Sequence, residues 1–434
     1  MLSVIRSSWA LLLGVMLLML GNGVQGTLLG IRGRIEGFTT VELSYVMSAY
    51  FIGFLFGSRL TPEMLRRVGH VRVFAALGSL ISAVIVLYPV ALDPWAWVAM
   101  RIVIGFCFSG VYITAESWLN DASTNETRGQ ALSLYMIVQM IGIIASQALL
   151  NAADPGGFVL FIIPSILVSL AFTPILLSVA PVPRFETSSP LSSPRLYRAS
   201  PLGCVGMFLL GGVFSAQFGM AAVWGGEAGL TVRQISLFVA ALYVGGLLFQ
   251  YPIGWASDRF GRRILILSLA VAGGVAALVP FVLPMPFAGL LVIALLLGGI
   301  TNPLYSLLLA YTNDFLEKSD MAAASAGLIF INGLGAISGP LITGWLMARV
   351  GPGGFTRSRS RQFPRRRFTD FTGLGAVEHE AASQLKEHVA LEAVLVQRSF
   401  VQHSARAQQV GPDGNGLQAG QAITGWIVVD SADQ

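Results

Sequence analysis

The stretch Gly254-Trp255-Ala256-Ser257-Asp258-Arg259-Phe260-Gly261-Arg262-Arg263 sets a dense cluster of charge between two apolar runs, 236–256 and 264–283. Each run is close to the ~20 residues that a helix needs to cross a hydrocarbon core of about 30 Å. A charged turn between two such runs is what a membrane helical hairpin leaves at the water surface.

Working outward, further runs of the same kind appear at 9–29, 41–60, 72–92, 95–115, 129–150, 157–180, 202–223, 287–311 and 322–348. The 434 residues are 54% hydrophobic and only 11% charged, with a mean hydropathy of +0.71. Soluble domains carry about 25% charged residues, so this chain lacks the polar groups to cover a surface in water. The expectation is an all-α integral membrane protein with eleven transmembrane helices. Arg6 ahead of an apolar run resembles a signal peptide, but the ten spans that follow favour an uncleaved first helix.

The sequence pI near 9.4 reflects short basic loops and does not call for a nucleic-acid partner. With the N-terminus in the cytoplasm, the inner side receives Arg6, Arg59, Arg66, Arg67, Arg72, Arg128, Arg184, Arg195, Arg198, Arg259, Arg262, Arg263 and Lys318. The outer side receives Arg32, Arg34 and Arg233, the imbalance that the positive-inside rule requires. The expected location is therefore a bacterial-type inner membrane.

The chain also repeats itself. At an offset of 193, Tyr50 falls on Tyr243, Gly53 on Gly246, Gly105 on Gly298, Tyr112 on Tyr305, Asn120-Asp121 on Asn313-Asp314 and Gly142 on Gly335. At 192, Gln25 meets Gln217, Arg67 meets Arg259 and Gly69 meets Gly261. Tyr, Asn, Asp and Arg are scarce in membrane helices, so their agreement at one offset indicates duplication. Two similar helical bundles with a solute site between them at mid-membrane form a recurrent transporter plan. The bundles are expected at 1–180 and 202–355, joined by a cytoplasmic linker, 181–201, rich in Pro and Ser.

The opening stretch resembles, at every defined position, the G-x-x-x-D-R-x-G-R-R signature of the major facilitator superfamily. Arg101-x-x-x-Gly105 is similar to that superfamily's fourth-helix motif, and Gly335-Ala336-Ile337-Ser338-Gly339-Pro340-Leu341-Ile342-Thr343-Gly344 to its eleventh-helix motif. The segments Ala115-Glu116-Ser117-Trp118-Leu119-Asn120-Asp121, Arg128 to Met136, Pro303 to Ser306 and Asn313-Asp314 look like the YcaD-like branch. The fifth span departs from the pattern, with Ser146 and Gln147 where the family has Gly-Pro. The resemblance covers residues 1–355 and implies a major facilitator-like fold of two six-helix bundles. It also implies a monomeric secondary transporter that moves a small solute by alternating access, coupled to protons, with no cofactor.

By the same resemblance, Gly254, Asp258, Arg259, Gly261, Arg262 and Arg263 latch the two bundles on the cytoplasmic side, with Glu116 and Arg128 near them. Gly254 would allow close helix contact and Gly261 a sharp turn. In the first half Arg66 stands where Asp258 stands in the second, so the latch is expected to be asymmetric.

Arg101 lies within a span, where a charge costs about 2.5 to 3.5 kcal/mol on insertion scales. It is a candidate for anion binding or proton coupling, against a structural arginine that reaches the outer interface; its repeat partner is Ala294. Asn22, Gln25, Tyr112, Gln139, Gln217, Tyr243, Asn302, Tyr305 and Asn332 are the polar and aromatic candidates for a central solute path, each open to the plainer reading of an interhelical hydrogen bond. Glu116 is about 22 Å further along the helix than Arg101, too far to pair with it, so Arg128 or Arg259 are its expected partners.

Among the histidines only His70 precedes the tail, and Cys107 and Cys204 lie far apart in sequence, so no enzymatic base, metal set or disulfide framework is indicated. No P-loop is present, which points to a gradient as the driving force.

One anomaly remains. Asp154-Pro155-Gly156-Gly157-Phe158 leads into the sixth span, and the equivalent Gly351-Pro352-Gly353-Gly354-Phe355 leads into Thr356-Arg357-Ser358-Arg359. The twelfth span is missing at its expected place. Residues 356–434 read as out-of-frame translation, which would leave an inactive truncated transporter; the rival reading is an authentic extramembrane extension, and a non-transporting membrane sensor is the alternative to transport.

Overall fold

A computed structural model describes residues 2–121, 128–177, 193–257, 259–283, 285–317 and 321–350. Among them are thirteen helices and no strand: α1 (Leu2–Ile35), α2 (Thr40–Val68), α3 (His70–Leu87), α4 (Pro94–Asp121), α5 (Arg128–Leu149), α6 (Val159–Leu177), α7 (Ser193–Ala199), α8 (Pro201–Gly219), α9 (Ala221–Glu227), α10 (Val232–Ser257), α11 (Arg262–Val282), α12 (Phe287–Asn313) and α13 (Met321–Val350). Eleven of these are long and apolar enough to cross a membrane, in the order expected from the sequence. Helices form because lipid offers the backbone no hydrogen-bond partners of its own. Several overrun the apolar run that predicts them; α2 continues to Val68 because its polar end stands in water, where Arg66 and Arg67 pair with Glu63.

Two local features depart from expectation. The linker region carries a helical turn, α7, whose Leu196 is fully buried with Cys204 and Met207, so apolar contact holds this part of the linker in place. The seventh span is interrupted at Met220, leaving α9 as a short separate piece. The expected tail anomaly at 356–434 lies outside the described residues.

The repeat extends into loop chemistry. Gly37 and Gly229, 192 apart, both adopt positive φ, at 81° and 76°, a conformation that side chains disfavour. Two residues on from each, a threonine starts the next helix with a reciprocal cap. Glu42 N–H donates to Thr39 Oγ1 at 3.2 Å, while Thr39 N–H donates to the Glu42 carboxylate at 2.7 Å. Gln234 N–H donates to Thr231 Oγ1 at 3.3 Å, and Thr231 N–H donates to Gln234 Oε1 at 2.9 Å. Both are capping boxes that satisfy orphan donors at a helix start.

Within each half, glycine sets the packing. A Cβ on Gly105 would lie 1.9 Å from the Tyr50 carbonyl, and one on Gly298 would lie 1.8 Å from that of Leu242. So α2 meets α4 backbone to backbone, and α10 meets α12 in the same way. Lipid tails are as apolar as leucine, so such close approach, and not solvent exclusion, drives association here.

Between the halves, contacts gather at the end of the molecule that carries the α1–α2 loop. Thr40 Oγ1 donates to the Glu227 carboxylate, Ser48 Oγ donates to the Ile337 carbonyl at 2.7 Å, and Gly344 packs on Ser44. A Cβ on Gly30 would fall 2.9 Å from that of Ala222, joining α1 to α9. A cleft of about 410 Å³ at this end is lined by Arg34, Thr40, Val223, Glu227 and Ala348 among others.

Candidate functional site

Arg101 sits on α4 beside the glycine contact that pins α2, and only 6% of it is exposed. It does not extend to an interface. Its Nη1 donates to Gln25 Oε1 at 2.9 Å, and its guanidinium carbon lies 4.7 Å from the centre of the Tyr50 ring. Cation–π attraction and one amide oxygen are modest compensation for a buried charge. Among the described residues Arg101 has no carboxylate partner, and its Nε–H is buried with no acceptor. Its repeat partner Ala294 is fully buried, so the second half spends no charge here.

Gln25 and Gln217 behave as a pair across the repeat. Gln217 Oε1 accepts from Thr301 Oγ1 at 3.1 Å, as Gln25 Oε1 accepts from Arg101. Both Nε2 groups are buried and lack an acceptor. Thr301 thus serves Gln217 from α12 as Arg101 serves Gln25 from α4, a role that sequence spacing did not signal.

The tyrosines gather where the halves meet. Asn22 Nδ2 donates to the Tyr112 hydroxyl at 3.4 Å, and that hydroxyl donates to Met19 Sδ at 3.3 Å. Tyr50 and Tyr112, on the first half, are both electrostatic neighbours of Tyr243 on the second. The Tyr243 ring centre lies 4.5 Å from that of Phe218. Tyr50 escaped notice as a site residue, although its repeat match with Tyr243 was visible in the sequence.

Other expected residues have local duties. Asn302 Nδ2 donates to the Gly298 carbonyl of its own helix at 3.2 Å, and Asn332 Nδ2 donates to the Met207 carbonyl of α8 at 3.0 Å. Asn332 thus makes an interhelical bond, whereas Asn302 bonds within its own helix.

Glu116 is half-buried and faces Tyr135 of α5, which Gln139 flanks one turn on. Tyr305, from the second half, is also an electrostatic neighbour of Glu116. The expected ion pair to Arg259 is not formed, because Arg259 stacks over its own Trp255 at 4.0 Å. Glu116 stands beside these tyrosines, and its other expected partner, the Arg128 side chain, lies outside the described residues.

The latch residues are less concerted than the resemblance implies. Arg262 pairs with Asp314, which joins α11 to α12 within the second half, and Arg263 is exposed. Gly254 has nothing within 4 Å of a built Cβ, so it mediates no close helix contact. Gly261 has φ −57°, an ordinary value, so its turn needs no glycine conformation; Gly69, its repeat partner, does, at +81°. Asp258 and the Arg128 side chain lie outside the described residues. At this end the halves touch through Arg59, whose guanidinium lies 4.6 Å from the centre of the Phe330 ring.

Among the described residues no three His, Cys, Asp or Glu side chains converge to hold a metal. The arrangement offers buried hydrogen-bond donors, one cation, one carboxylate and aromatic walls, all of which suit reversible binding.

The chain aligns with the YcaD proteins of Escherichia coli O45:K1 (strain S88 / ExPEC) and O81 (strain ED1a), named as uncharacterized MFS-type transporters. Each is 26% identical over 352 residues, which covers 79% of this chain and 89% of the relative. The fold superposes on the crystal structure of nucleoside transporter NupG with a TM-score of 0.65 at 16% identity, covering 81% of this chain and 94% of that one. It also superposes on a bacterial homologue of the human lysosomal transporter Spinster in an inward-facing and occupied conformation. There the TM-score is 0.67 at 14% identity, covering 82% and 84% of the two chains. The family model described as Major Facilitator Superfamily matches residues 11–218 and 202–357. This multi-pass membrane protein, built as two fused copies of one bundle, belongs to the major facilitator superfamily.

Proposed function

We propose that the chain is a secondary active transporter that moves a small solute across a bacterial inner membrane by alternating access, coupled to protons and working as a monomer. The observation that carries this reading is Arg101, buried in the membrane on Gln25 and Tyr50, where Tyr50 in turn neighbours Tyr243 of the other half. Charged groups inside membrane helices are costly and mark solute paths and proton relays. A site at the seam of two duplicated bundles is reached from either side as the bundles rock. Glu116, set beside Tyr135 with Tyr112 and Tyr305 near it, is the group we assign to carry the proton.

The distribution of arginines supports a cytoplasmic N-terminus. With that orientation the end at Thr40 and Glu227, where the halves are bonded, faces outward. Flux of candidate solutes into vesicles containing the purified chain, with and without an imposed proton gradient, tests the reading. Gradient-dependent flux supports it, and its absence across a broad solute panel would sink it.

An inactive truncated product is a second reading, favoured by one observation: the family match stops at residue 357, where the sequence turns from apolar to arginine-rich. Retranslation of the coding DNA in its other two frames tests this. An apolar run of about 20 residues in either frame supports the truncation, and none in both rejects it.

A further inference from the structure

We infer that the solute carries a carboxylate, bound by Arg101 with the Gln25 carboxamide. This rests on the transport reading and narrows its cargo. The argument begins with charge. Arg101 is buried in the membrane interior with no carboxylate partner among the described residues; the Gln25 oxygen and the Tyr50 ring touch it, and the Tyr88 hydroxyl is near. A permanent cation so placed is stable when an anion completes it.

Geometry narrows the anion. The Gln25 oxygen occupies Nη1, whereas Nε–H is buried and has no acceptor. The guanidinium edge that carries Nε is the one that takes a carboxylate through two parallel hydrogen bonds. Gln25 is itself only 1% exposed, and its Nε2 also lacks an acceptor. Each of the two residues thus keeps one buried donor with no acceptor among the described residues.

Location argues for a travelling anion rather than a fixed one. Tyr50, under the guanidinium, lies on α2 two residues from Ser48, which bonds to Ile337 of the second half, so the site abuts the seam between the bundles. The second half has Ala294 opposite Arg101, so one anion-binding group serves one path.

The test uses the purified full chain in detergent and follows its thermal unfolding midpoint with acetate, benzoate, succinate and citrate, each beside its uncharged amide. The expected result is a saturable rise with at least one carboxylate and none with the matching amide. Arg101→Gln, and also Arg101→Lys, which keeps the charge but loses the fork, should weaken that effect at least about tenfold. Equal stabilisation by amides, no effect of any carboxylate on the wild type, or an undiminished effect in Arg101→Gln overturns the proposal. So does stabilisation by phosphatidylglycerol alone, which would make the anion a lipid headgroup. The wild-type comparison of acid with amide stands even if a variant fails to fold.

A separate readout follows bundle movement without any cargo: the yield of the T40C/E227C cross-link in vesicles with and without a proton gradient. A yield that responds while no carboxylate binds overturns the carboxylate assignment and leaves the transport reading standing. A yield that never responds while carboxylates do bind supports the assignment and counts against transport.

Discussion

Ser48 on α2 donates its hydroxyl hydrogen to the backbone carbonyl of Ile337 on α13 at 2.7 Å, tying one half of the molecule to the other. The acceptor stands next to the Ala336 carbonyl, which loses its usual helical donor because residue 340 is proline. A helix already short of hydrogen bonds is here bonded from outside. A net hydrogen bond is worth about 0.5–1.5 kcal/mol. Ser48→Ala should therefore lower the population closed at the Thr40 end by a few-fold. Distances between spin labels on α2 and α13 check this; an unchanged distribution would show that the bond does not bias the equilibrium.

Backbone contact between α2 and α4 makes a sharper prediction. Gly105→Ala forces a methyl to within 1.9 Å of the Tyr50 carbonyl, and Gly298→Ala repeats the clash against Leu242. Overpacking costs typically about 1–3 kcal/mol, and here the obstacle is backbone. Gly274→Ala, with nothing within 4 Å, should stay within about 0.5 kcal/mol of wild type. Unfolding in mixed micelles compares the three, and a Gly105→Ala variant as stable as Gly274→Ala would contradict the packing.

Arg101→Gln should abolish gradient-driven flux, whereas Cys204→Ser, which removes a buried thiol of the second half, should keep most of it. Flux in matched proteoliposomes decides, and equal rates would remove Arg101 from the mechanism.

Glu116→Gln keeps the shape and removes the exchangeable proton. Accumulation driven by a proton gradient should be lost while solute exchange at equal concentrations continues. If accumulation persists, another group carries the proton.

The Arg262–Asp314 pair is expected to matter little for stability. Its side chains are 30% and 48% exposed, and pairs in such settings contribute about 0–1 kcal/mol. Asp314→Asn should fall inside that range in chemical unfolding, and a loss well beyond it would mean the pair anchors more than one half.

The sequence and the structure agree where lipid dictates the answer. Spans longer than the hydrocarbon core had to be helical, so all eleven were legible, and so were the pairs Gly105 with Gly298 and Tyr50 with Tyr243. Helix ends were less so, because α2 and α4 run into water, where hydropathy is silent. Within the site, the isolated charge at Arg101 announced itself by its cost, and Gln25 by its echo at Gln217. The contact between those two was invisible, since nothing in local spacing links residue 25 to residue 101. For Glu116, charge complementarity pointed to Arg128 or Arg259; Arg259 stacks on Trp255 instead, and Tyr135 stands beside the carboxylate. Gly254 and Gly261 follow a family pattern whose physical use is absent at both positions. The paired capping boxes at Thr39 and Thr231 were readable all along, as Thr-x-x-Glu and Thr-x-x-Gln at the repeat offset.

The break at Met220 gives the two copies unequal stiffness. Where α1 is one continuous rod, its counterpart changes direction after Gly219, at a residue with φ −97° and ψ −4°, and ends in a seven-residue flap. That flap bears Glu227 and so holds the bond to Thr40. It is also buried, with Ala222 close against Gly30 of α1, while α8 is bonded to Asn332. Parting the halves on this side therefore means unpacking α9 from α1 as well as breaking its bond to Thr40.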